Sequence, residues 1–308
     1  EPTVLLLFAC FNNKCIVMGD PSGKKEDFPE AIEAFIEETD RLCYLPVFYE
    51  TSEEIVMILH EFGYDFIKMG EEAYVDLNSF TTSGKKMKGT RAVLNRIERE
   101  GFTFDVLQPP FSAEQMSIFK NISDNWLGSR KEKGFSLGFF SEDYLQRAPI
   151  AVVKNTQEEI VAFATIMPTY TNNKVGTIDL MRYDPKKAPS GSMDFLFLHL
   201  FAYMKEEHIQ WFNLGMAPLS NVGTSRKSFL QERIAYLVYE FGSHFYSFHG
   251  LRKYKSKYAT NWVSRYTLYS RDSWIAYVMI ALLIIDNTPV EQTQGRINGL
   301  KKWIRRKY

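Results

Sequence analysis

Residues 246–266, YSFHGLRKYKSKYATNWVSRY, concentrate the side chains best suited to hold an anion. Arg252, Lys253, Lys255, Lys257 and Arg265 are interleaved with Tyr246, Phe248, Tyr254, Tyr258, Trp262 and Tyr266. If 251–259 is a helix entered at Gly250, Leu251, Tyr254, Lys255 and Tyr258 share one face, while Lys253 and Lys257 share another. One cation then sits on an apolar stripe. A lysine so placed is partly desolvated and short of counter-charge, which suits an anionic ligand or a developing oxyanion. A snorkelling lysine, its stem on the core and its ammonium in water, fits the same spacing.

A second group of polar residues falls where strands should end. Asp179 and Arg182 bracket Leu180 and Met181 on an expected strand over 174–182, so they face opposite sides unless the strand ends between them. A plain ion pair or a functional role would account for them equally. Asn213 precedes Leu214, Gly215 and Met216 at the end of another expected strand, and the glycine lets backbone approach a ligand closely. In an open α/β sheet, ligands gather where neighbouring strands diverge. Such a crevice would collect Asp179, Arg182, Asn213 and the cationic helix.

Several chemistries are excluded. The chain has no GxxxxGK[ST], GxSxG, HExxH or paired CxxC. His60, His199, His208, His244 and His249 are scattered, so neither a phosphate-loop NTPase nor a zinc enzyme is tenable, and no metal or other cofactor is expected. Cys10, Cys15 and Cys43 lack metal-ligand spacing and cannot all pair; they read as core residues of a chain in a reducing, cytosolic setting.

The elements that must position these residues alternate. A buried strand over 3–11 leads through the Asp20-Pro21-Ser22-Gly23 turn to a helix over 29–41, a strand over 45–49, a helix from Ser52 to Gly63, and strands over 64–68 and 73–77. Residues 85–99 form a basic helix carrying Lys85, Lys86, Lys88, Arg91, Arg96 and Arg99 against one acid, Glu98, with Val93, Leu94 and Ile97 as a narrow apolar stripe. It reads as a solvated connector or as a polyanion site. Strands over 102–107, 150–154, 160–167 and 211–214 and helices over 112–127, 193–206 and 229–241 follow. Asp184-Pro185 with Ser190-Gly191 echoes the first turn, and Glu240-Phe241-Gly242 echoes Glu61-Phe62-Gly63, in the same order, which suggests an internal duplication.

The 308 residues are 45% hydrophobic and 15% aromatic, enough for one large or two medium cores. Lys+Arg and Asp+Glu number 37 each, yet residues 1–83 hold 17 acids against 5 bases while 84–308 hold 20 against 32. Any basic partner surface lies in the second part. The apolar run over 274–285 is too short to span a bilayer, so the piece is expected to be soluble. Its start at Glu1-Pro2 without methionine suggests an excised part of something longer. A basic amphipathic stretch near the end, with Arg296, Lys301, Lys302, Arg305, Arg306 and Lys307 around Ile297, Leu300, Trp303 and Ile304, would lie on an anionic bilayer or be a solvated end.

Five separated blocks carry a resemblance. DLMRYDP (179–185), SMDFLF (192–197), LGMAPL (214–219), EKGFSLG (132–138) and GLRKYKSKY (250–258) with Trp262, Arg265 and Tyr266 resemble the cytosolic catalytic domain of aminoacyl-phosphatidylglycerol synthases, the lysyl- or alanyl-transferring multiple peptide resistance factors. Thr260 departs from the family, where proline is expected. The resemblance implies an α/β fold of two tandem GNAT-like acyltransferase units: 1–83, then a basic connecting helix over 84–101, then 102–308 with the active site. It implies transfer of an amino acid, lysine favoured over alanine, from aminoacyl-tRNA to the glycerol hydroxyl of phosphatidylglycerol. That reaction lowers membrane negative charge and resists cationic antimicrobial peptides. An N-terminal transmembrane portion of the parent would hold the chain at the cytoplasmic face of the cell membrane.

Asp179, Arg182, Lys253, Tyr254 and Lys255 are the expected catalytic residues. Ser136, Asn213, Gly215, Met216, Arg252 and Arg265 are expected to bind substrate, and Lys85, Lys86, Lys88, Arg91 and Arg96 to bind tRNA. The rival readings are a peptidoglycan-bridge-type aminoacyltransferase acting on an amine and a non-catalytic tRNA- or membrane-binding module. An acetyl-CoA-dependent N-acetyltransferase is disfavoured because residues 183–192 lack a glycine-spaced pyrophosphate cradle.

Overall fold

In the computed structural model, residues 3–130, 132–167, 174–233 and 248–287 are described. The expected helix over 229–241 falls largely outside them, as do the echo at 240–242 and the basic terminal stretch. The apolar run at the start does not make one buried strand. It breaks into β1 (Val4–Leu5), with Leu5 and Leu7 exposed, and β2 (Phe8–Phe11). Asn12, in the left-handed region at φ 50°, turns the chain into β3 (Lys14–Met18), and Ser22–Gly23, β4, pairs with β1.

That hairpin corrects the cysteine expectation: Cys10 and Cys15 are register partners across β2 and β3 and form a disulfide, and Cys43 is exposed rather than in the core.

Helix α1 (Phe28–Arg41) starts with a proline in its first turn and buries Phe28 and Ile32. It leads to β5 (Leu45–Thr51), and Ser52 precedes α2 (Glu53–Glu61). The two short strands expected next are one 13-residue strand, β6 (Tyr64–Asp76). Helix α3 (Lys88–Arg99) begins after Lys85 and Lys86, which lie in the preceding turn.

The second half runs β7 (Thr103–Leu107), α4 (Ala113–Leu127), α5 (Glu142–Leu145), β8 (Ile150–Lys154), β9 (Ile160–Met167), β10 (Val175–Tyr183), α6 (Ser192–Glu206) and β11 (Trp211–Pro218). Ser112 and Gln115 close a capping box on α4. Then come α7 (Phe248–Lys255), β12 (Asn261–Ser270) and α8 (Ile275–Asn287). Helix α7 already includes Gly250, so the helix does not start at that glycine.

Ten strands form one sheet in the order β2-β3-β5-β12-β6-β11-β10-β9-β8-β7. Strand β12 therefore lies between two strands from nearly 200 residues earlier. Two pairs are parallel, β3 with β5 across α1 and β10 with β11 across α6. Each crossover begins at an Asp-Pro turn, Asp20-Pro21 or Asp184-Pro185, so the first sequence echo marks corresponding positions in the two halves.

Four apolar layers cover the sheet. The stripe Val93, Leu94 and Ile97 of α3 packs with Phe195, Leu196 and Phe201 of α6 and with Tyr258. Helices α1 and α2 pack on Phe48 and Leu268, α4 packs on Val152, Phe163 and Leu180, and α8 packs on Ile16, Val47, Met69 and Met216. Each fully buried large side chain contributes about 1.5–3 kcal/mol, so these layers hold the sheet rigid beneath the polar residues.

Candidate active site

Four strands, β5, β6, β11 and β10, lose register near one level of the sheet. In β10 the shift lies between Ile178 and Met181, and in β11 between Asn213 and Met216. In β6 it falls at Met69, since Arg265 pairs with Gly70 but Tyr266 with Lys68. In β5 it falls between Phe48 and Thr51, where Glu50 has φ 61°. Bulges re-aim side chains and weaken pairing. Parallel pairing of β10 with β11 stops at Thr177 and Asn213, and beyond it the strands part. Asp179, Arg182, Gly215 and Met216 follow this point, so the gap between the two strand ends is the candidate crevice.

On the β11 side the polar groups form two linked clusters. Asn213 donates to Glu72 Oε1 at 2.7 Å and to the Tyr74 hydroxyl at 3.3 Å, and its own Oδ1 accepts from Gly215 N–H at 2.7 Å, pinning the bulge. Gly215 has φ +79°, a conformation a side chain would strain. Arg265 donates to Glu72 through Nε at 2.8 Å and also through Nη2. The second cluster surrounds Glu71, which accepts from Lys68 at 2.7 Å, from Asn221 at 2.8 Å and from Arg252. Burial acts to raise the Glu71 pKa, but these donors outweigh it and hold the carboxyl below its ordinary range. Arg252 also donates to Ser220 at 2.8 Å and stacks on Trp262, its guanidinium 4.2 Å from the ring centre.

Lys255 is the last residue of α7, and its ammonium donates to the Met216 carbonyl at 2.7 Å. Burial lowers its pKa to about 8, with the Glu50 and Glu72 carboxylates acting against the fall. Its neighbours divide by face. Tyr254 turns to the core, its ring centre 6.3 Å from that of Phe197 and 5.8 Å from that of Tyr258, and burial raises its hydroxyl pKa well above the usual range. Lys253 is exposed. Lys257 and Tyr258 both donate to Asp194 in the first turn of α6, tying α7 to that helix.

Across the crevice, the bulge in β10 settles how Asp179 and Arg182 are disposed. Asp179 accepts from the Tyr144 hydroxyl at 2.7 Å, and a Cβ added at Gly138 would lie 2.6 Å from its carboxyl, so the segment over 132–138 closes down on it. Arg182 donates to Glu132 at 2.8 Å and stacks 4.0 Å from the Trp126 ring centre, so its ion-pair partner is Glu132 and not Asp179. Burial lowers its pKa, with Glu132 opposing. Half-buried Ser136 lies in the same segment, whose Phe135 packs on the cluster containing Met216. Thr260 makes contacts that proline could not make fully: its N–H donates to the Tyr74 carbonyl at 2.8 Å, and its Oγ1 accepts from Asp76 N–H at 2.8 Å.

The α3 cations are spread. Lys85, Lys86 and Lys88 are exposed, Arg91 donates to the Thr82 and Gly84 carbonyls, and Arg96 reaches the Ser190 carbonyl. Among the described residues, no cluster of three or more histidine, cysteine or carboxylate side chains is placed to hold a metal, and no helix is long and apolar enough to cross a membrane.

The family described as phosphatidylglycerol lysyltransferase, C-terminal, matches residues 2–269. The chain belongs to that family. It is 49% identical over 279 residues to phosphatidylglycerol lysyltransferase of Bacillus subtilis and 42% identical over 271 residues to that of Staphylococcus aureus. These alignments cover 91% and 88% of the chain but 32% of each relative, so it spans about a third of the length of those curated relatives. The solved structure of L-PGS from Bacillus licheniformis, 47% identical, aligns with a TM-score of 0.82 over 93% of this chain and 87% of that one. A DUF2156 C-terminal domain from Agrobacterium fabrum, 33% identical, aligns at 0.81 over 94% and 87%. FemX, at 10% identity and 0.52, shares the fold alone.

Sequence reading missed Glu50, Glu71, Glu72, Tyr74 and Tyr144. The adjacent pair Glu71-Glu72 in the middle of a strand was the available signal, because carboxylates in a sheet interior require cations beside them.

Proposed function

We propose that this chain is the catalytic portion of an enzyme that transfers lysine from aminoacyl-tRNA to a glycerol hydroxyl of phosphatidylglycerol. The names of its relatives support the lysyl donor and the lipid acceptor. The observation that carries the reading is Lys255, a buried cation at the mouth of the crevice where β10 and β11 part. The ester in aminoacyl-tRNA is already activated. The protein aligns the lipid hydroxyl with its carbonyl and stabilises the tetrahedral oxyanion. One acyl C–O bond forms to the lipid, the bond to the ribose oxygen breaks, and the hydroxyl proton ends on that ribose oxygen.

In this reading Lys255 faces the oxyanion or phosphate. Asp179, fixed by Tyr144, orients the attacking hydroxyl or grips the donor ammonium, and Arg182 holds phosphate. Asn213, Gly215 and Met216 shape the crevice, while Arg252 and Arg265 hold its acidic floor in place. Lys85, Lys86 and Lys88 bind tRNA. The division into 1–83, 84–101 and 102–308 describes two acyltransferase-type units that share one ten-stranded sheet, with β12 of the last segment inserted between β5 and β6 of the first, and the rest of the parent sits in the membrane.

The test is incubation of the protein with phosphatidylglycerol vesicles and labelled Lys-tRNA or Ala-tRNA, counting label in the organic phase. Label from Lys-tRNA alone is expected. Label from neither donor, with tRNA still bound, would overturn the reading in favour of another acceptor. Lys255→Ala is expected to lower kcat by about 10²–10³, the usual loss for one oxyanion donor, with the fold retained.

A further inference from the structure

Lys14 stands apart from the paired cations. It opens β3, opposite Phe11 and beside Leu45, and is only 7% exposed. Among the described residues its ammonium makes no hydrogen bond or ion pair. The stem is buried while the ammonium reaches the surface of a groove, where no described side chain offsets its charge. Lys14 lines this groove, of about 300 Å³ between the hairpin turn and the N-terminal end of α8, together with Asn12, Asn13, Ser273, Trp274 and Tyr277. Asp272 also lines the groove but is exposed. The positive end of the α8 dipole adds to the field there.

Helix α8 is apolar on two sides. Val278, Ala281, Leu282 and Ile285 are buried against the sheet, while Trp274, Tyr277 and Ile280 on the groove side are 66%, 60% and 49% exposed. Tryptophan and tyrosine are the residues that favour a boundary between apolar and wet regions. The buried side shares its cluster with Met216 and Phe135, so α8 is packed onto the same strand end that holds Lys255. Charge argues for the occupant: the groove holds the Lys14 ammonium, which no described side chain neutralises, beside the positive end of the α8 dipole. An anionic lipid surface meets both the unpaired cation and the exposed apolar lip.

We propose that this groove is a phosphate-headgroup site on the face by which the chain sits on an anionic bilayer. Lys14 takes a lipid phosphate, and Trp274, Tyr277 and Ile280 enter the acyl boundary. The proposal rests on the reading that the acceptor is a bilayer lipid, and it adds a lipid site separate from the transfer crevice.

The test is sedimentation of the purified chain with vesicles of phosphatidylglycerol and phosphatidylcholine, or of phosphatidylcholine alone. Lys14→Met is expected to lower partition onto the anionic vesicles several-fold, with an unchanged or higher Tm. Trp274→Ser with Tyr277→Ser is expected to lower it further. Unchanged partition of Lys14→Met overturns the proposal. So does displacement by millimolar inorganic phosphate beyond that of chloride at equal ionic strength, which would mark a free-phosphate site. Conversion of a dimer to a monomer by the Trp274 and Tyr277 changes, with partition intact, would reassign the face to a second copy. Loss of lysyl transfer alone, with partition and its Lys14 dependence retained, would count against the transfer reading and leave this one standing.

Discussion

A lysine whose pKa falls to about 8 changes charge within the range where enzymes are assayed. If Lys255 acts as a cation, kcat/KM for transfer should fall as pH rises through about 8, once spontaneous hydrolysis of the aminoacyl ester is subtracted. Lys255→Arg should keep some rate and lose that limb, since arginine stays charged. A rate that climbs through the same range would make the neutral amine the active form, a base. Stability runs the other way: because the folded pKa lies below the unfolded value of about 10.4, burying the ammonium costs stability at neutral pH. That cost is relieved as pH rises from about 8 toward the unfolded value. Lys255→Met is therefore expected to raise Tm at pH 7 while abolishing transfer, the usual exchange at a functional site. Gly138→Ala tests the opposite wall, because the added carbon meets the Asp179 carboxyl at 2.6 Å. It should lower kcat with little change in Tm; unchanged kinetics would remove Asp179 from the site.

The elements reveal which parts of this site the sequence carried. The cationic helix and the Asp-Pro crossovers were readable because each depends on local spacing and turn chemistry, whereas the strand expected to end before Gly215 runs on through a bulge to Pro218. Strand β12 was not readable: its partners lie in β5 and β6, and nothing local in 261–270 specifies that pairing. Its absence hid the role of Arg265 on Glu72. Strand β6 read as two strands because the bulge at Met69 and the Glu71-Glu72 pair interrupt its alternation. The same kind of bulge in β10 decides the disposition of Asp179 and Arg182, which period-two alternation alone left open.

At the level of these elements, Thr260→Pro should cost about 1–3 kcal/mol of stability through the hydrogen bonds to Tyr74 and Asp76, measured by denaturant midpoint. An unchanged midpoint would mean that the turn refits proline without them. Glu71→Gln should lower Tm at pH 7, since the depressed pKa of Glu71 contributes stability above its unfolded value of 4.5. The gap from the parent chain should close as pH falls below that value, through the folded pKa.

At the scale of the whole molecule, a formal charge of zero hides an acidic first 83 residues and a basic remainder. Part of the basic excess is already engaged inside the protein. Arg252 and Arg265 neutralise Glu71 and Glu72, Arg182 meets Glu132, and Arg91 and Arg96 are turned to backbone carbonyls. Lys85, Lys86 and Lys88 are different: they are exposed in and just before the first turn of α3, whose opposite face is anchored on α6. A rigid helix end with three solvated lysines suits a phosphate backbone, which binds by counterion release and not by fixed geometry. Replacing all three with glutamine should reduce the slope of log K against log salt for Lys-tRNA by about two to three, at roughly 0.7–0.9 for each phosphate no longer neutralised. Replacing Arg91 and Arg96 instead should lower stability more than it changes the slope, because those side chains hold loops. An unchanged slope in the triple lysine variant would make the segment a solvated connector and move the tRNA surface elsewhere on the basic part of the chain.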